Sequence, residues 1–171
     1  TSLNNDSGLY YIQFMKWINS YPVVPGLANL HDRLGFNSHW HLLNAAFNMK
    51  AFGLHQTNDF NGLLFILIGL GSFDSATRIA GQKNLHDGIW ALIPLPFFLL
   101  LRFLTSTAPD LPATLIPLVY LTYLVAKRDK SSLPILVTLI AFSATIKALS
   151  ILHVIVLLPV LYWVVKAKDF R

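Results

Sequence analysis

The sequence predicts an all-α polytopic membrane protein: about five transmembrane helices preceded by an extracytoplasmic loop with short amphipathic helices. Three observations predict it. Hydrophobic residues make up 54% of the 171 positions and charged residues only 12%, about half the charged share of an ordinary soluble domain. Mean hydropathy is +0.55, and a soluble domain of this size leaves too much surface exposed to hide that apolar content in one core. From residue 60 onward, apolar runs alternate with short charged breaks and lack the polar face of a soluble helix.

Residues 1–59 are mixed, aromatic and polar, and read as an extracytoplasmic region with surface helices. Asp6 or Ser7 can cap a helix over about 9–19, which Tyr21-Pro-Val-Val-Pro-Gly26 ends because proline does not continue a helix. An irregular loop is expected from 27 to 37. Ser38 then caps a second helix to about 52, with Trp40, Leu43, Phe47 and Ala51 at helical spacing and Gly53 suited to its end.

Residues 60–171 read as the transmembrane region, with spans at about 60–78, 88–105, 111–126, 132–148 and 150–165. A full crossing takes roughly 20 residues, so the shorter runs need help from boundary residues. Arg102 and Lys147 are placed to snorkel toward a headgroup layer. Prolines at 94, 96, 117, 134 and 159 are tolerated in membrane helices.

Basic residues alternate between loops. Arg78 and Lys83, then Lys127, Arg128 and Lys130, then Lys166, Lys168 and Arg171 mark one face, while 106–110 holds none. The positive-inside rule puts the first set in the cytoplasm, and residues 1–59 outside, with the C-terminus cytoplasmic. Asp6, His31 and Asp110 then share the outer face. The chain reads as a piece of a longer protein, to be completed by further helices.

Several chemistries are excluded. Cysteine is absent, and so is glutamate: all eight acidic residues are aspartates, so thiolate sites are ruled out. His39 and His41 flank Trp40, and residues two apart on a helix point to different sides, which makes a poor metal pair. No metal site is therefore assigned. The net charge of +5 sits at the edges of apolar runs, which argues for topology and against a nucleic-acid partner.

Asp6 sits at a helix start beside the membrane, where a carboxylate can take a proton from a hydroxyl or simply cap the helix. The loop carrying His31, Arg33 and Asn37 suits polar ligands, with Arg33 fitted to a phosphate oxyanion; a structural loop satisfying its own backbone reads equally well. Asp110, within Ser106-Thr-Ala-Pro-Asp-Leu-Pro112, is an ionisable group at a membrane boundary, with capping again the competing role. Lys147 could pair with a phosphate or an aspartate, or anchor the chain topologically.

Together, Asp6-Ser-Gly-Leu-Tyr-Tyr with Gln13 and Lys16-Trp17, then Tyr21-Pro-Val-Val-Pro-Gly-Leu-Ala-Asn-Leu-His31, Arg33 and Phe36-Asn-Ser38, resemble the first extracytoplasmic loop of GT-C-like bacterial multi-pass membrane glycosyltransferases. Ser106-Thr-Ala-Pro-Asp-Leu-Pro112 and Thr145-Ile-Lys147 look like further segments of that family. The resemblance implies sugar transfer from a polyprenyl-phosphate-linked donor to a glycan or lipid acceptor at the outer face of the cytoplasmic membrane. Asp6 would be the general base. Arg33 or Lys147 would neutralise the lipid phosphate, and His31, Asn37 and Asp110 would contact sugar or phosphate. Many GT-C enzymes carry two acidic residues close together in this loop, whereas serine and glycine follow Asp6. No cofactor is assigned, a divalent cation being the option left open. Two other classes remain: a transporter or flippase for a lipid-linked sugar, with Asp110, Lys147 and His153 along its pathway, and a non-catalytic membrane scaffold.

Overall fold

The computed structural model describes residues 6–22, 24–35, 38–47, 60–81, 84–94, 101, 103–126, 130–156, 158, 159 and 162. They are helical, with no strand among the described residues. The chain opens with a π-helical turn, Ser7–Tyr11, that runs directly into α1, Ile12–Ser20. Tyr21 leaves it in an extended conformation, as Pro22 requires of the residue before it.

The segment expected to be an irregular loop is partly helical. Gly26 adopts a φ of 82°, a left-handed conformation that costs glycine little. That turn starts the short helix α2, Leu27–Leu30, and a 3-10 turn over Asp32–Gly35 follows. Helix α3, His39–Ala46, comes next. The expected end of this second surface helix at Gly53 lies outside the described residues, as does Asn37.

Helix α4, Phe60–Ile79, is the one described helix long and apolar enough to cross a membrane. Its 20 residues span roughly 30 Å, the thickness of a hydrocarbon core. The expected span at 88–105 is not one continuous helix: α5, Leu85–Leu92, stops at Ile93 and Pro94, and the chain turns again from Phe103 to Ser106. Proline lacks the N–H that would continue the ladder. Helix α6, Asp110–Ala126, has 17 residues and α7, Leu133–Ile146, has 14. Beyond α7, the region expected to begin a last span is a 3-10 helix, Ala148–Val156.

Helix α6 joins two cores. On one side Leu111 and Leu115 meet Tyr10, Tyr11 and Leu34 of the N-terminal region together with Ile68 and Phe103. On the other, Ile116 and Tyr120 pack with Trp40 of α3 and Leu136 and Ile140 of α7. The N-terminal region thus shares its cores with the apolar helices.

One amide ties these parts together. Asn61, fully buried, accepts from Trp40 Nε1 at 2.8 Å and donates Nδ2 to the carbonyls of Phe103 and Ala108, each at 2.9 Å. Replacing Asn61 with Leu strands one indole N–H and two carbonyls, so we expect a loss of about 2–4 kcal/mol. Chemical unfolding of the purified protein reads this directly; an unchanged midpoint would mean that the amide carries no net stability.

Candidate functional site

Asp6, Arg33, Asp110 and Lys147 line a single cavity of about 590 Å³. They come from four separate elements. The π-helical turn places Asp6 one turn before Tyr10, and the Tyr10 hydroxyl donates to Asp6 Oδ2 at 3.1 Å. Neighbours four apart share a helix face, so this bond is local. Asp6 makes no side-chain cap to this helix, and it lines the cavity.

Arg33 arrives from the 3-10 turn. Its Nη1 donates to the Tyr10 hydroxyl at 3.2 Å and reaches Asp6 Oδ2 at 3.5 Å, while the guanidinium lies over the Tyr10 ring at 5.1 Å. Tyr10 therefore bridges the acid and the base. On the Tyr10 ring His31 stacks, with centroids 6.0 Å apart. His31 Nδ1 either accepts from the Arg33 amide at 3.2 Å or meets Asp32 Oδ1 at 3.0 Å; one ring nitrogen cannot do both in the same tautomer. His31 supports the site from behind and is not among the residues lining the cavity.

Across the cavity, Lys147 Nζ donates to Asp110 Oδ1 at 2.7 Å. Asp110 is the first residue of α6, and Lys147 is the extended residue, φ −144° and ψ 141°, where α7 stops. Both ion pairs are half-exposed, so they fix position more than they add stability. Serines hold the two sides together: Ser7 Oγ lies 2.6 Å from Ser106 Oγ, and Ser106 Oγ accepts from the Ala108 amide at 3.0 Å. Ser38 Oγ donates to the Ile146 carbonyl at the end of α7; it sits at the start of α3 but makes no side-chain cap there.

The rest of the wall is aromatic and neutral. Tyr11 and Phe14 each meet His41 in a T-shaped contact, with centroids 5.1 Å away. Burial pushes the Tyr11 hydroxyl well above its ordinary range, with a Tyr10 hydrogen bond and the Asp110 charge adding to it. Burial also pushes His41 down to about 4. Both groups are thus uncharged at neutral pH.

The family model described as Domain of unknown function (DUF8201) matches residues 1–171. The chain belongs to this family. No curated protein and no solved structure matches the chain.

In this DUF8201 domain the sequence identified four of the cavity's charged groups and missed its scaffold. Tyr10 lay within the quoted motif, and its spacing from Asp6 was the signal for a shared face. Asn61 and His41 gave none, because a polar residue in an apolar run reveals its partners only in three dimensions. Among the described residues no three His or Asp side chains converge to hold a metal ion.

The His41 shift sets a pH dependence. The unfolded imidazole titrates near 6.5 and the folded one near 4, so below about pH 6.5 the unfolded state binds the extra proton. Stability is full above that range and falls as pH drops through it toward 4, by up to about 3 kcal/mol. Unfolding curves at pH 7.5, 5.5 and 4.5 test this, with His41→Phe expected to flatten the dependence. Parallel curves for the two proteins would assign the acid sensitivity elsewhere.

Proposed function

We propose that this protein is part of a polytopic membrane glycosyltransferase, GT-C-like, that moves a sugar from a polyprenyl-phosphate-linked donor to a glycan or lipid acceptor at the outer membrane face. The observation that carries the reading is the convergence of Asp6, Arg33, Asp110 and Lys147 on one cavity beside apolar helices. Its volume of about 590 Å³ falls within the roughly 300–1,000 Å³ of small-molecule sites.

Transfer of this kind needs a base for the acceptor hydroxyl and fixed positive charge for the departing phosphate. Asp6 takes the hydroxyl proton as the acceptor oxygen bonds to the anomeric carbon. The bond from that carbon to the phosphate oxygen breaks, and its electron pair stays on the phosphate. Arg33 and Lys147 neutralise that charge. Tyr10 and Arg33 both meet Asp6 on Oδ2, which holds the carboxylate in one orientation. Asp110 keeps Lys147 in place until the phosphate competes for it.

The membrane setting rests on α4, on the apolar runs around it and on the exposure of Leu63, Ile66, Leu67, Leu70 and Phe73 along one helix. Exposed apolar stripes of that length suit lipid or neighbouring helices. The flippase alternative draws on His153, but its Nδ1 lies 3.3 Å from Ser143 Oγ and its ring packs against Tyr120. His153 is not among the residues lining the cavity.

Two tests follow. In the full-length protein, Asp6→Asn should cut glycan transfer by about 100-fold or more while the protein still folds and inserts; normal glycan output would remove Asp6 from the mechanism. For topology, the cysteine-free sequence permits single-cysteine labelling with a membrane-impermeant reagent. Ser7 and Ser106 are buried, so the exposed positions Ser20 and Ser131 serve better. Labelling of Ser20 from outside and of Ser131 only after permeabilisation is the expected result, and both labelling from one side would break the span order.

A further inference from the structure

The 3-10 helix Ala148–Val156 follows Lys147 without a break. With three residues per turn, its side chains stack above one another at every third position. The Ser150 amide donates to the Lys147 carbonyl at 2.8 Å, so this spacing begins at the cation itself. Separate rows result. Ser150, His153 and Val156 form the row that packs inward: Ser150 is buried, His153 meets Ser143 and Tyr120, and Val156 packs against the core that contains Tyr120. Ile151 and Val154 share a second row and are exposed. Leu149, Leu152 and Ile155 make the third, at 74%, 55% and 60% exposure.

Among the described residues, Leu149 is the one exposed large apolar side chain that also lines the cavity. The exposed residues Leu63, Ile66, Leu67, Leu70 and Phe73 of α4 do not reach it. An apolar face alone selects no occupant, but the cation at the head of this one does. A molecule that meets Lys147, then Leu149, and continues along the row needs an anionic head with hydrocarbon behind it. Six rises of about 2.0 Å make the row about 12 Å long, close to the roughly 15 Å of hydrocarbon in one leaflet. A packed helix would cover both exposed rows together, whereas a single hydrocarbon chain occupies one.

We infer that Leu149, Leu152 and Ile155 form a track for the tail of a prenyl phosphate whose head meets Lys147 in the cavity. This rests on the lipid-phosphate donor of the glycosyltransferase reading and extends it to how the tail is chosen. The apolar contact is non-directional and grows with the area covered. The row therefore selects for tail length, while the cavity selects for the head. A short tail touches Leu149 alone; a longer one adds Leu152 and then Ile155.

The test uses the full-length protein in nanodiscs with isopentenyl, citronellyl and farnesyl phosphate, each corrected for uptake by protein-free discs. Wild type should bind more tightly with each longer tail. Leu152→Ser combined with Ile155→Ser should weaken farnesyl phosphate about tenfold. The same pair should leave isopentenyl phosphate, which reaches no further than Leu149, within about twofold. Ile151→Ser combined with Val154→Ser, on the neighbouring exposed row, should leave all the probes within about twofold. In wild type, farnesyl phosphate with a diazirine at its tail end should label residues 149–156, and unlabelled farnesyl phosphate should suppress that label. This second measurement decides the matter even where a serine variant fails to fold. Equal weakening by the two serine pairs would make the face general lipid contact and overturn the track. Equal weakening of isopentenyl and farnesyl phosphate by the first pair would do the same. So would labelling that misses 149–156, which would leave the row to another helix of the full-length chain. A wild type that binds every probe equally would overturn the track and leave the phosphate site standing. A wild type that binds none of them would overturn the glycosyltransferase reading as well.

Discussion

The three hydrogen bonds of Asn61 hold the structure in register. One side chain on the apolar helix α4 receives the Trp40 indole N–H and gives two protons to carbonyls on either side of the turn before α6. In a dry interior an amide with all its partners is rigid, and one missing a partner is expensive. The bond to Trp40 fixes α3, and those to Phe103 and Ala108 fix the segment that delivers Asp110. The cavity's charged residues are far apart in sequence and depend on this buried joint for their positions.

Charge balance is the second constraint. Two aspartates face two cations, so the formal charges of the cavity cancel. Half-exposed pairs of this kind are exchangeable, since water screens them and neither partner is stranded when the other moves away. Either cation can be drawn from its partner without leaving a buried carboxylate unpaired. Tyr10 meanwhile keeps its hydrogen bond to Asp6 and its ring under the guanidinium. The aromatic half follows the opposite logic. Tyr11 and His41 are buried and kept neutral, which avoids the larger cost of burying a charge.

The helical class was legible in the sequence, because apolar runs without alternation and without a polar face leave few other solutions. Asp6, Arg33, Asp110 and Lys147 were legible as chemistry, since charged groups beside apolar runs are conspicuous. Their convergence was not, because each lies in a different element and no spacing rule connects positions 6 and 147. The continuous span expected at 88–105 gave way at Pro94, where hydropathy averages across a turn that proline imposes. Helix α2 was missed because a glycine in a left-handed turn opens it, and composition alone reads Pro25-Gly26 as loop. Asn61 and His41 were illegible for a shared reason: their importance lies in partners gained, or lacking, at long range.

The nine residues from Ala148 to Val156 form an uncommonly long stretch of 3-10 helix. A 3-10 helix rises about 2.0 Å per residue and an α-helix 1.5 Å, so the segment is about 4–5 Å longer than its α-helical equivalent. Lys147 stands at one end of it, joined to Asp110. Rewinding the segment would retract its far end toward the cavity by nearly a full helical turn, or draw Lys147 away from Asp110 by the same amount. The chain thus places this extended winding directly after Lys147, the cation that faces Asp110 across the cavity.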